Sequence, residues 1–176
     1  MIYYFLLLAW LATSYFCLYK LIKVRNRKKI FMFLTFISLS FLSCFRDYSV
    51  GVDTQQWVDF YSIYGLQGFK AVNFSQPHEP GYVLLNVILW NISSNPRLLI
   101  VVCGLFINFA FCYFITKYSK DTFFSVLTFV CFRMYFESLC LLRQFLATAL
   151  ILLFFSLLLN KKYIRFLFVT IIASMF

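Results

Sequence analysis

Long apolar runs separated by short basic or polar stretches set the pattern of this chain. A bilayer core of about 30 Å takes roughly 17 to 25 apolar residues in a helix. Four runs meet or approach that length: Ile2 to Tyr19, Ile30 to Phe45, Leu98 to Thr116, and Thr122 to Leu159. The last is about twice a span. Its polar residues Glu137, Ser138 and Arg143 mark the break of a tight helical hairpin, which predicts five complete spans. A sixth run, Phe166 to Phe176, is too short to cross, so the expectation is the N-terminal portion of a longer protein. The expected fold class is all-α: a polytopic transmembrane helical bundle forming one membrane domain over residues 1–176, with a large external loop at 46–80.

Composition strengthens the membrane reading. Hydrophobic residues make up 63% of the 176 and charged ones 12%, with a mean hydropathy of +0.85, so the chain cannot build a water-soluble shell. The net charge of +10 would suggest nucleic acid in a soluble protein, but the basic residues cluster between apolar runs as cytoplasmic loops do. Nucleic-acid binding is excluded on that ground. The cysteines, Cys17, Cys44, Cys103, Cys112, Cys131 and Cys140, show no metal-like spacing and lie in or beside apolar runs, where Cys packs as a small hydrophobe.

Charge also sets the orientation. The block Lys20, Lys23, Arg25, Arg27, Lys28 and Lys29 belongs in the cytoplasm, which puts the N-terminus outside and makes the first run a retained anchor. The short apolar segment Gly81 to Ile92 decides the remaining topology. If it does not cross, Lys117, Lys120, Lys161, Lys162 and Arg165 also lie inside, and the basic bias is strong; if it crosses, the bias nearly vanishes. The preferred arrangement makes this segment re-entrant or interfacial. The external loop Arg46 to Pro80 then holds Asp47, Asp53, Asp59 and Glu79, and within it Gln56 to Tyr64 has the aromatic spacing of a short amphipathic helix.

Three groups of residues carry candidate chemistry. Arg46 through Thr54 places Arg46, Asp47 and Asp53 around Gly51 at the outer surface; a solvated loop is the plain alternative. In Glu79-Pro80-Gly81-Tyr82 a fixed turn opens the short apolar segment, and Glu79 reads either as a functional acid or as a helix-terminal charge. His78 beside it is the one histidine, a residue type able to titrate near neutrality, and a lone loop histidine with no special role is the plain alternative. Finally, Arg143-Gln144 lies just inside a span, with Arg133 and Glu137 spaced for a mutual pair. Arg143 has no partner nearby in sequence and reads either as a functional cation or as a side chain reaching up to the outer surface. Arginines grip phosphate, and a carboxylate accepts a proton from an attacking hydroxyl.

On these residues the sequence resembles the EpsG family of polysaccharide polymerases, relatives of the Wzy-type enzymes. The resemblance rests on Arg46-Asp47 with Gly51-x-Asp53-Thr54, on Glu79-Pro80-x-Tyr82, on Lys117-x-x-Lys120, and on Arg143-Gln144 with Ala147. It implies glycosyl transfer at the outer face of the cytoplasmic membrane, from an oligosaccharide on undecaprenyl diphosphate, with no cofactor and no metal. The implied catalytic residues are Arg143, Asp53 and Glu79; the implied substrate-binding residues are Arg46, Asp47, Thr54, Tyr82 and Gln144. The implied partners are the lipid-linked oligosaccharide, the bilayer and other membrane proteins of polysaccharide assembly. Two other readings stand beside this one: a transporter or flippase of lipid-linked sugars, since intramembrane Arg and Glu also line substrate paths, and a non-catalytic truncated remnant. Cysteines introduced as Lys117→Cys and Lys161→Cys are expected to resist an impermeant maleimide added outside; modification from outside would reverse the topology.

Overall fold

In the computed structural model the described residues are 2–21, 26–51, 53–72 and 79–176. Lys23, Arg25 and His78 lie outside them. Every described regular element is helical. The helices are α1 (Ile2–Phe16), prolonged by a π turn at Cys17–Leu21, α2 (Arg27–Cys44), α3 (Thr54–Gln67), and a 3-10 turn at Gly68–Ala71. They continue with α4 (Pro80–Ile92), α5 (Arg97–Tyr118), α6 (Thr122–Cys131), α7 (Met134–Cys140), α8 (Leu142–Leu153), α9 (Phe155–Leu159) and α10 (Tyr163–Ala173).

Local chemistry explains the boundaries. Pro80 begins α4 directly after an extended Glu79, where the missing proline N–H costs nothing. Asp121 starts α6 by accepting the backbone N–H groups of Phe123 and Phe124 at 3.0 and 3.1 Å. Between α6 and α7 the chain bends by 50° at Arg133, whose φ of 64° is left-handed and cannot continue a helix. A second break falls at Leu141, between α7 and α8. The hairpin break expected at Glu137, Ser138 and Arg143 is therefore displaced to either side of the first two. Ser138 stays helical because its hydroxyl donates to the Tyr135 carbonyl at 2.6 Å, satisfying itself within its own turn.

The centre of the fold is the antiparallel pair α2 and α5, with α8 also packed against α5. Leu39, Cys103 and Ile107 are buried in the core around this pair. Two polar contacts fix their neighbourhood: Asn108 donates to the Ser43 hydroxyl at 3.0 Å, and the Tyr135 hydroxyl donates to the Leu39 carbonyl at 2.8 Å. Cations close both ends. Lys28, at the start of α2, donates to the Ser119 carbonyl beyond the end of α5 at 2.9 Å. Arg97, at the start of α5, donates to the Cys44 carbonyl at 3.4 Å and to the Arg46 carbonyl beyond the end of α2, and lies over the Tyr48 ring at 4.4 Å. Each helix thus supplies the cation that its partner's negative C-terminal end attracts.

The outward faces are apolar. Phe5, Leu6 and Trp10 on α1 and Phe33, Ile37 and Phe41 on α2 are exposed, which is the surface a bilayer solvates. Helix α5 is long and apolar enough to cross a membrane by itself, and the bent pair α6–α7 is a second candidate if it acts as one span. Helix α2 opens with three basic residues, and α4, at 13 residues, extends only about 20 Å. Arg97→Met should lower stability by about 1–3 kcal/mol, the size of a hydrogen bond to a charged group. Thermal unfolding in detergent is the measurement, and an unchanged midpoint would refute the role of Arg97 as a cap.

Candidate functional site

The loop after α2 and the helix that follows it form one wall of the site. Gly51 has a φ of 97°, accessible to glycine without strain, and a Cβ there would meet Thr54 Oγ1 at 2.7 Å and the Leu139 carbonyl at 3.2 Å. Thr54 is fully buried and donates to the Val50 carbonyl at 2.7 Å. This bond closes the turn. The turn launches α3, which extends the expected Gln56 to Tyr64 helix at both ends and buries Trp57, Tyr61 and Tyr64. Trp57 is the anchor: its indole N–H donates to the Cys140 carbonyl at 3.2 Å, and its ring meets Tyr82 edge-on at 5.5 Å. The Cys140 carbonyl reaches it beside the break at Leu141.

Arg143 sits one residue inside α8, beyond that break. It pairs with Glu79, 64 residues earlier in the chain, and its guanidinium lies 5.3 Å from the centre of the Trp57 ring. The expectation that Arg143 lacks a partner is corrected: none is near in sequence, but one is near in space. Glu79 holds the N-terminal cap position of α4 yet makes no side-chain cap bond, because its carboxylate is turned to Arg143. With side-chain exposures of 27% for Arg143 and 43% for Glu79, such a pair contributes about 0–1 kcal/mol in water. Its main effect is to hold the guanidinium over the Trp57 ring.

A polar cleft of about 160 Å³ lies beside this pair, lined by Asp53, Gln56, Trp57, Leu141, Arg143 and Gln144. The Asp53 backbone carbonyl starts α3, while its side chain makes no cap bond. Tyr82 is buried against the Trp57 ring that lines the cleft. Of the residues singled out from sequence, Asp53, Glu79, Tyr82, Arg143 and Gln144 therefore come together. Arg46 and Asp47 do not.

Arg46 is 7% exposed and lies behind the Leu139 to Leu142 segment, lining an apolar cavity with Leu139. Burial lowers its pKa, although an arginine remains charged through such a shift. Asp47 is exposed and accepts the Ser49 backbone N–H at 2.9 Å, and hydrogen bonding from Ser49 lowers its pKa. Arg133 and Glu137 do pair, at 3.9 Å, but on the surface and away from the cleft.

Sequence reasoning did not assign Gln56 and Trp57 to the site, nor Arg97 to any role. Arg97 offered a signal: a cation in the first turn of a helix opposes that helix's dipole, so its placement needs another explanation. Trp57 gave none beyond its helical spacing.

A family model described as the EpsG family matches residues 29–176, most of the chain. Searches of curated proteins and of solved structures return no match. A double-mutant cycle with Glu79→Gln and Arg143→Gln is expected to show a coupling of about 0.5 kcal/mol or more. Additive effects on unfolding would show that the two side chains do not pair in solution.

Proposed function

The chain belongs to the EpsG family, and from that premise we propose that it polymerises surface polysaccharide. The donor is an oligosaccharide on undecaprenyl diphosphate, and the transfer takes place at the outer face of the cytoplasmic membrane. The proposed topology has five spans with the N-terminus outside, which puts Arg46, Asp53, Glu79 and Arg143 on the same face. The observation that carries the reading is the cleft in which Arg143, fixed by Glu79 over Trp57, stands beside Asp53, Gln56 and Gln144.

In this reaction a hydroxyl of the acceptor sugar attacks the anomeric carbon of the donor. The bond from that carbon to the diphosphate oxygen breaks, and the lipid diphosphate leaves with the electron pair. Asp53 takes the hydroxyl proton, because its carboxylate lines the cleft and has no ion-pair partner among the described residues. Arg143 stabilises the negative charge that develops on the leaving diphosphate; the single donor engaged by Glu79 leaves others for the phosphate oxygens. Glu79 orients Arg143 and takes no proton. Gln144 and Gln56 offer amides to sugar hydroxyls at the rim.

Deleting the gene and restoring it with variants tests the reading. Arg143→Ala and Asp53→Asn chains are expected to accumulate single lipid-linked repeat units outside, with polymer reduced at least tenfold, whereas Glu79→Gln retains partial activity. Unchanged chain length in the deletion strain would eliminate a polymerase. Repeat units trapped on the inner leaflet would point instead to a flippase.

A further inference from the structure

Where α2, α5, α7 and the start of α8 meet, the core encloses a cavity of about 10 Å³, room for a single water-sized sphere. Ser43, Arg46, Asn108 and Ser138 give it a polar lining, and all four are more than nine-tenths buried. Arg46 is the one charged residue among those that line it.

A charge taken out of water needs a counterion or a full set of hydrogen bonds. Among the described residues Arg46 has neither. Its side chain donates no hydrogen bond to them, and its buried Nε is unpartnered. The carboxylates are engaged elsewhere: Glu79 pairs with Arg143, Glu137 with Arg133, Asp121 accepts the amides that open α6, and Asp47 accepts the Ser49 amide. Arg97 lies near and adds a second positive charge. The neutral groups do not close the gap. The hydroxyls of Ser43 and Ser138 donate to the carbonyls of Ser40 and Tyr135 at 3.2 and 2.6 Å. One amide hydrogen of Asn108 goes to Ser43, which leaves its second N–H together with those of Arg46. The cavity is therefore rich in donors and positive. A water there would accept hydrogen bonds without supplying a countercharge.

We propose that this cavity binds one halide ion, chloride in the natural setting, between the Arg46 guanidinium and the Asn108 amide. Its size admits a single-atom anion and excludes sulfate or phosphate, each of which has a central atom bearing four oxygens. A halide is somewhat larger than a water, and Arg46 is the wall that yields. Beyond Arg46 and Leu139 lies an apolar space of about 410 Å³ into which the long side chain can shift. That outer space does not hold the ion itself, because Leu7, Phe41, Leu42, Phe45 and Phe136 offer no side-chain donors and the Asp47 carboxylate at its edge repels an anion. Bound between α2, α5 and α7, the halide ties the helix that ends at Cys140 to the central pair, one residue before the break at Leu141. The inference rests on this cavity and is independent of the reaction at the Arg143 cleft.

Thermal unfolding of the full chain in an uncharged detergent, with sodium chloride, bromide, sulfate or gluconate at one ionic strength, tests the site. Chloride and bromide should raise the midpoint in a saturable way, by roughly 5–10 °C once the ion is about 100-fold above its dissociation constant. Sulfate and gluconate should not. Asn108→Asp places a fixed carboxylate at the cavity, so it should keep a high midpoint in gluconate and lose the halide response. Arg46→Gln should also lose the response, whereas Arg133→Gln, at an exposed arginine, should retain it. Broadening of the chloride NMR line by the wild-type chain, abolished by Asn108→Asp, gives a second reading that does not depend on the folding of Arg46→Gln. Equal wild-type midpoints in chloride and gluconate would overturn the proposal, as would an equal response to sulfate or a halide response kept by Asn108→Asp.

Discussion

The antiparallel packing of Arg27–Cys44 against Arg97–Tyr118 is the constraint on which the rest of the molecule is arranged. Each helix begins with a cation that its own dipole disfavours and that the other helix's C-terminal carbonyls accept, through Lys28 at one end and Arg97 at the other. This reciprocity specifies register as well as direction. A slip of one turn, about 5.4 Å, would break the contacts at both ends and would separate Asn108 from Ser43 in the middle. Because Arg97 grips the Arg46 carbonyl, the same contact also sets where the loop after Cys44 departs.

From that departure point the path to the cleft is short. The loop turns at Gly51, Thr54 closes the turn, and the helix from Thr54 carries Trp57 to the broken helix at Leu141. Gly81 plays the matching part on the other side. A Cβ there would come within 2.7 Å of the Met175 carbonyl, which accepts the Gly81 and Tyr82 amides at 2.9 and 3.3 Å. Glycine lets the last helix approach the start of the Pro80–Ile92 helix, next to Glu79. The site is thus assembled from three stretches distant in sequence, held by backbone contacts at two glycines and one ion pair.

Much of the helical framework could be read from the chain, because apolar runs of membrane length are a one-dimensional signal. The runs beginning at Ile2, Ile30 and Leu98 match helices to within a few residues, as does the short helix before Ser93. The break near Arg133 could not be read, since a left-handed residue other than glycine leaves no composition mark. Charge pairs were legible only where they are local: Arg133 with Glu137 at a spacing of four, but not Arg143 with Glu79. Likewise the sequence placed Arg46 and Arg143 on one face, and only packing reveals that the Leu139 to Leu142 segment stands between them.

That broken segment has a consequence for the energetics of the site. A helix interruption leaves a carbonyl without its usual partner, and here the Cys140 carbonyl is taken by the Trp57 indole. Losing Trp57 would strand an acceptor, so the Thr54–Gln67 helix and the broken helix are joined by a bond neither can replace internally. The arginine platform is consequently fixed before any ligand arrives. In the proposed transfer, charge developing over it would meet donors already aligned, and little of the activation barrier would go into reorganising the protein.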